Sequence, residues 1–148
     1  MKKTLIALAL VLLTVGCTKK NDPENALLEY VNYRFNESQS RSKLLDMTAG
    51  ELNMSLQQMT DEQYQQFSNV SKYKRGNFNI SLKKCTEDTC YITYTLKYDV
   101  MDNQTKTLSA EIKKVAKLIL DNKVWKVADV SNVKTYFDSK QPIDISAE

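Results

Sequence analysis

Hydrophobic residues recur along the chain with two different periods, one in each half. After Pro23 the apolar side chains stand three or four residues apart, which is the spacing of one face of an α-helix. These residues are Leu27, Leu28, Val31 and Phe35. Asn21 or Asp22 can cap the helix, and Pro23 suits its first turn. The pattern therefore predicts a long first helix.

Further helical segments are predicted downstream of the first. Ser40 or Ser42 can cap a second helix, and Gly50 separates it from a third. Thr60 and Gln63 have the spacing of a capping box, in which each side chain bonds to the other residue's backbone, so a short helix starts there. The first half of the domain is therefore predicted to be helical, in three or four pieces.

Beyond Gly76 the period changes to alternation, which is typical of strands with one buried face. The clearest strand carries an inward face made of Ile92, Tyr94, Leu96, Tyr98 and Val100. An earlier strand turns Phe78, Ile80 and Leu82 inward. A third strand spans 105–120, where Lys114 interrupts the apolar face and predicts a bulge near Lys113. A fourth strand is predicted over 124–133.

Helices followed by four antiparallel strands form an α+β domain, with the helices packed on one face of the sheet. The order of the elements, and the closing turn and strand over 121–130, resemble the nuclear-transport-factor-2-like and cystatin-like superfamilies. The resemblance covers roughly residues 23–137. It implies N-terminal helices packed on a curved four-stranded antiparallel sheet that forms a cone. Residues 24–137 are then the domain, and 138–148 a polar C-terminal tail.

The start of the chain has the pattern of a secretory signal peptide. Lys2 and Lys3 precede an apolar run over 5–13, which is too short for a membrane-spanning helix of about 20 residues. The end of this leader resembles the lipobox of bacterial lipoproteins, in which a small residue, here Gly16, precedes an invariant cysteine, here Cys17.

The lipobox resemblance implies that residues 1–16 are removed and that Cys17 carries lipid on its sulfur and its new amino terminus. More than one acyl chain gives stable anchoring, and residues 17–23 become a lipidated tether. In enteric bacteria a residue other than aspartate after the cysteine favours the outer membrane, so Thr18 implies a lipid anchor there, on the periplasmic side of the cell envelope. The alternative is an ordinary signal peptide, a fortuitous cysteine and a freely secreted product.

Charge and composition exclude several classes of function. The chain has 21 basic and 18 acidic residues, and two of its lysines leave with the signal peptide, so the mature protein is nearly neutral. Nucleic-acid binding needs a basic patch, so no nucleic-acid partner is expected. The chain has no histidine, which removes the imidazole-based catalytic triads and the commonest metal ligand. We therefore expect neither a metal nor a cofactor.

Cys85 and Cys90 stand at the two ends of a predicted turn between strands. Facing residues of an antiparallel pair lie within disulfide range, and an exported chain meets an oxidising compartment, so we expect a disulfide. A redox-active pair is one alternative, although the C-x-x-C spacing is absent and Glu87 and Asp88 would disfavour a thiolate. Zinc is another, although two thiols alone cannot complete a tetrahedral site.

Three tyrosines are candidates for ligand binding. Tyr94 and Tyr98 lie on the predicted inward face, and Tyr30 flanks the apolar face of the first helix. Enzymes of the resembled superfamily place an acid or a histidine inside the cone, whereas the inward face here offers phenols and no carboxylate. We therefore expect no catalytic residues and no enzyme activity. The tyrosines could hydrogen-bond a ligand, or they could serve only in packing.

The expected function is that of a lipid-anchored cell-envelope protein with a non-enzymatic binding or assembly domain. Tyr91, Thr93 and Thr95 lie on the predicted outer face of the sheet, which offers a docking surface for an envelope protein. Binding of a small ligand in a pocket between the first helix and the sheet is the alternative. The partners expected are therefore the membrane, through the anchor, and an envelope protein.

Overall fold

The computed structural model describes residues 21–139, in which four helices are followed by four strands. The helices are α1 (Pro23–Arg34), α2 (Arg41–Met47), α3 (Gly50–Gln58) and α4 (Asp61–Ser68). The strands are β1 (Tyr73–Cys85), β2 (Thr89–Asp102), β3 (Thr105–Asp121) and β4 (Val124–Ser139). The α+β class predicted from the sequence is confirmed. The predicted signal peptide, the predicted lipidation site Cys17 and the part of the predicted tail beyond residue 139 lie outside the described residues.

Side-chain caps fix the starts of three helices. Asp22 and Ser40 each accept a hydrogen bond from a backbone N–H in the first turn of α1 and α2. Thr60 and Gln63 form the predicted capping box at α4. Each cap satisfies N–H groups that have no partner within the helix, so these boundaries are set locally. Within residues 21–139 no helix combines the length and apolar character needed to cross a membrane.

The four strands form one antiparallel sheet in the order β1-β2-β3-β4. Two-residue turns join β2 to β3 and β3 to β4. All of their residues have positive φ: Asn103 (45°), Gln104 (68°), Asn122 (48°) and Lys123 (66°). Positive φ at both central positions matches the twist of a hairpin, and asparagine tolerates this conformation better than most residues. The turns therefore help to fix the register of the three longest strands.

Strand β1 differs from its prediction in two ways. It begins at Tyr73 rather than beyond Gly76, and it leaves the side chain of Leu82 exposed instead of inward. A register shift between Ile80 and Leu82 accounts for the second difference. A shift by one residue reverses the faces of all the residues that follow it, so the inward face of β1 ends at Ile80.

Strand β4 contains the irregularity that was predicted near Lys113. The pairing of β3 with β4 shifts between Lys113 and Lys114, but the extra residue is Val133 of β4 and not a residue of β3. A second shift leaves Ala128 of β4 without a partner. Strand β4 also continues to Ser139, beyond the predicted end of the strand at Val133. A bulge bends the strand that carries the extra residue, so both irregularities bend β4.

The core lies between the helices and the inner face of the sheet. Its most buried members come from both layers and include Leu27, Leu44, Leu56, Ile92, Ala116, Leu118 and Val127. The predicted inward face of β2 is present, since Ile92, Tyr94 and Leu96 are buried and Tyr98 and Val100 are half-buried. Each fully buried aliphatic side chain contributes about 1.5–3 kcal/mol to stability, so this face holds the helices in place.

The corner between α2 and α3 joins the helices to β4. Thr48 forms a parallel bridge with Val127, and the N–H of Ala49 donates to the Val127 carbonyl oxygen at 2.9 Å. Gly50 follows with a φ of +56°, and a Cβ there would lie 3.4 Å from the Cβ of Ala128. Glycine suits this backbone conformation, because residues with a side chain are strained at a positive φ. This corner is called the α2–α3 junction below.

We expect Thr48→Val to lower the free energy of unfolding by about 1–2 kcal/mol. Thr48 is buried, its hydroxyl donates to the Leu44 carbonyl oxygen at 2.7 Å, and it accepts from the Asn53 side-chain amide at 3.2 Å. Valine keeps the shape and removes both bonds. Urea denaturation followed by circular dichroism measures the change. Thr93→Val on the outer face is the matched control, and an equally small effect of both variants would contradict the prediction.

Candidate functional site

The helices leave part of the sheet's inner face uncovered, and a cavity of about 510 Å³ remains there. Residues of α1 and α4 line one side of it, and residues of β2 and β3 line the other. The side chains that carry its chemistry are Tyr30, Arg34, Phe67, Tyr94, Tyr98 and Lys114. Small-ligand sites measure about 300–1,000 Å³, so this inner cavity has the size of a ligand site.

The structure brings Tyr30 and Tyr94 together in the inner cavity. Tyr30 is 6% exposed and Tyr94 is 2% exposed. Burial raises the pKa of both phenols, and the charge of Arg34 partly opposes this for Tyr30. Neither hydroxyl has a hydrogen-bond partner among residues 21–139. Both phenols therefore stay protonated at neutral pH and can donate to a ligand.

Tyr98 lines the same cavity but is more exposed than the other two tyrosines. Its ring meets Tyr73 edge-on, with centroids 5.5 Å apart, and lies 6.4 Å from the ring of Phe35. Burial raises the pKa of Tyr98, and Tyr73 adds to this rise. The three tyrosines named from the sequence therefore share one site, where Tyr98 also takes part in aromatic packing.

Lys114 also lines the inner cavity, although the sequence pattern singled it out only as a break in the apolar face. It stands on β3 directly opposite Tyr94 of β2, so the two side chains share the inner face. Lys114 is half-buried and makes no ion pair or hydrogen bond with any residue that the structure describes. Burial lowers the pKa of its ammonium group, and the charge of Arg34 lowers it further. A lysine at an inward strand position was the signal that could have identified it.

Arg34 brings a second positive charge to the inner cavity from the last turn of α1. Its guanidinium lies over the ring of Phe67, 3.7 Å from the centroid, and donates to the Phe67 carbonyl oxygen at 3.0 Å. It also donates to the side-chain oxygen of Gln39, whose amide in turn donates to the Ser68 carbonyl oxygen at 3.1 Å. These bonds fix the guanidinium between α1 and α4. Sequence analysis missed it because charged residues at helix ends are usually solvated.

The positive charge in the inner cavity is not balanced by a neighbouring acid. None of the described residues that line it is aspartate or glutamate. Arg75 of β1, which pairs in register with Tyr98, adds a further cation at this edge of the sheet. The Nε atom of Arg75 is buried and has no hydrogen-bond partner in the part of the chain that the structure describes. This end of the inner face is therefore cationic.

The outer face of the sheet carries a depression of about 620 Å³ with a different charge pattern. Lys97 lies 2.9 Å from a carboxylate oxygen of Glu111, and Lys106 lies 2.9 Å from one of Asp99. The hydrogen bond from Ser109 and the nearby Lys106 lower the pKa of Asp99. Because these charges pair with one another at the surface, we take the inner cavity as the candidate site.

The predicted disulfide between Cys85 and Cys90 is confirmed. The two residues face each other across β1 and β2, and their sulfur atoms are bonded. Trp125 is partly buried and packs against the core. Within residues 21–139 no group of three or more acidic or cysteine side chains is placed to hold a metal ion.

Comparisons with known proteins support the fold. No family model and no curated protein matches the chain. The crystal structure of the intermembrane space region of chloroplast protein ARC6 matches with a TM-score of 0.53 and 8% identity, over 74% of this chain and 92% of that one. A domain from Exiguobacterium sibiricum assigned to the calcium/calmodulin-dependent kinase II association domains matches with a TM-score of 0.49 and 12% identity, over 75% and 90%. At such identities the likeness to the ARC6 region shows a shared fold alone.

We expect Lys114→Met to raise the free energy of unfolding by about 1 kcal/mol at neutral pH, because a buried ammonium loses hydration. The folded state lowers the pKa of Lys114. The unfavourable contribution is therefore complete below the folded-state pKa and vanishes as pH rises above the unfolded-state value, about 10.4. Urea denaturation at pH 7 and at alkaline pH measures both effects.

The matched control for this variant is Lys113→Met. Lys113 is the exposed neighbour on the outer face of β3. Its replacement should change the free energy of unfolding by less than about 0.5 kcal/mol. If Lys114→Met were no more stable than the wild type at pH 7, the ammonium would not be unfavourably buried.

Proposed function

We propose that this chain is a lipid-anchored cell-envelope protein that binds a small ligand in the inner cavity and does not catalyse its conversion. The observation that carries the proposal is the cavity itself. It is large enough for an organic ligand, and Tyr30, Tyr94 and Lys114 bring to it polar groups that no described residue satisfies. Ligand sites typically combine apolar walls with a few such groups.

The state of the phenols supports binding rather than catalysis. A general base near neutral pH needs a pKa close to the working pH. Burial moves the pKa of Tyr30 and Tyr94 upward, away from that range. Protonated phenols are hydrogen-bond donors, which suits them to holding a ligand.

The lipid anchor is proposed from the leader sequence. The apolar run, Gly16 and Cys17 together support cleavage and acylation at Cys17. Acylation would place the domain on a membrane, at the end of the tether 17–23. A cavity of this kind would then bind its ligand beside the bilayer.

Protein binding on the outer face of the sheet is a second candidate function. Tyr91 is 48% exposed and Tyr136 is 51% exposed on this face. Aromatic side chains are enriched in protein interfaces, and two such rings on a sheet surface favour a protein partner. If the inner cavity binds no ligand, protein binding on the outer face becomes the preferred function.

The ligand proposal predicts that an uncharged apolar fluorophore, N-phenyl-1-naphthylamine, binds the mature chain from residue 17. Cys17→Ser in this protein avoids acylation and the need for detergent. Val70→Trp should weaken binding by about tenfold or more, because Val70 lines the cavity and tryptophan would occupy part of it. Fluorescence titration measures the affinity. Val133→Trp at an exposed position of β4 is the matched control and should bind like the parent. No binding by the parent, or equal binding by both variants, would rule the cavity out.

The anchor proposal predicts that the full chain, expressed in a Gram-negative host, incorporates labelled palmitate and fractionates with the outer membrane. Cys17→Ser should abolish the label, because it removes the acylated sulfur. Thr18→Asp is the informative control, since it should keep the label and move the protein to the inner membrane. A secreted wild-type protein without label would instead support an ordinary signal peptide.

A further inference from the structure

We propose that the ligand of the inner cavity is an amphipathic carboxylate, whose anionic group lies between Lys114 and Arg34 and whose apolar body extends along the cavity wall. This inference rests on the proposed function and specifies the chemistry of that same site.

The charge of Lys114 is the first reason. Its ammonium group is half-buried, and it has no ion pair or hydrogen bond within residues 21–139. A buried charge without a partner is unfavourable, and an opposite charge on a ligand would offset this. A neutral ligand would leave the ammonium group in the same unfavourable state, so the site favours an anion.

The placement of Arg34 is the second reason. Lys114 approaches the inner cavity from β3 and Arg34 from α1, so the two charges face the same space from opposite layers. The bonds to the Phe67 carbonyl and to Gln39 hold the guanidinium in a fixed orientation. A guanidinium has five N–H donors, so donors remain for a carboxylate after these two bonds.

The phenols complete the anionic subsite. Tyr94 stands opposite Lys114 in the pairing of β2 with β3, and Tyr30 is close enough to Arg34 for that charge to affect its ionisation. Both hydroxyls lack a hydrogen-bond partner among the described residues. A carboxylate has several acceptor positions, so it could accept from both phenols and both cations. The four groups therefore line one part of the cavity, where the charge of Arg34 acts on both Lys114 and Tyr30.

The rest of the cavity wall is apolar, so a ligand that fills the cavity should carry an apolar body beside its anionic group. The apolar lining residues include Val31, Phe67, Leu96, Ile112 and Val130. A bare inorganic anion would leave this surface in contact with water. Each methylene of an acyl or aromatic body that covers it contributes about 0.8 kcal/mol. A volume of about 510 Å³ suits a medium-length acyl chain.

The experiment compares decanoate with decan-1-ol as competitors of N-phenyl-1-naphthylamine on the mature chain with Cys17→Ser. The two competitors have the same chain and differ at the head group. For the parent protein we expect decanoate to compete at a concentration about tenfold or more below that of decan-1-ol. In Lys114→Gln most of this preference should be lost, so that decanoate and decan-1-ol compete at concentrations within about threefold of each other. Lys113→Gln on the outer face should keep the preference.

The outcomes separate the two proposals. If the fluorophore does not bind the parent, both the ligand-binding function and the carboxylate inference fail. If it binds and the two competitors act equally, the carboxylate inference is overturned and the binding function stands. If the preference persists in Lys114→Gln, Lys114 does not hold the anion, and the carboxylate inference is likewise overturned. Thermal unfolding of each variant, followed by circular dichroism, verifies that the compared proteins are folded.

Discussion

The structure depends on one contact between its two layers, the α2–α3 junction. There the N–H of Ala49 donates to the Val127 carbonyl oxygen at 2.9 Å, and Gly50, next to Ala128, has a φ of +56° that residues with a side chain rarely adopt. Ala128 is also the extra residue of a bulge in β4. The bulge and the glycine therefore meet at the point where the helices attach to the sheet. Helix α1 itself packs directly on β4 and β3, which brings Arg34 over the inner face.

The inner cavity follows from a mismatch in length between the two layers. Helix α1 has 12 residues and extends about 18 Å, whereas the 17 residues of β3 extend about 56 Å. Short helices cannot cover strands of that length, so the inner face is fully buried near the junction and incompletely covered farther along. The cover weakens beyond Tyr94, where Tyr98 and Val100 of β2 are only half-buried. The site is thus a result of the architecture, and its polar side chains lie where water or a ligand can reach them.

Local patterns predicted most of the fold. The capping box at Thr60 and the alternation over β2 depend on neighbours in sequence, so both could be predicted from sequence alone. The outward position of Leu82 could not, because a register shift depends on pairing between strands. Tyr94 was identified as a candidate because the alternation along β2 places it on the inner face of the sheet. The role of Lys114 was missed, because it depends on two features of the tertiary structure. No acidic residue among those described lies beside Lys114 in the cavity, and Arg34 is brought near it only by the fold.

The strand order has a consequence for how the protein reaches its folded state. Each strand pairs only with its neighbour in sequence, and two of the three connections are two-residue turns. Low sequence separation between partners reduces the loop entropy that must be lost before contacts form, which speeds folding. A chain that crosses a membrane unfolded, as the proposed export requires, has to fold afterwards. Successive hairpins can form in chain order as the chain emerges from the membrane, which leaves few opportunities for strands to pair incorrectly.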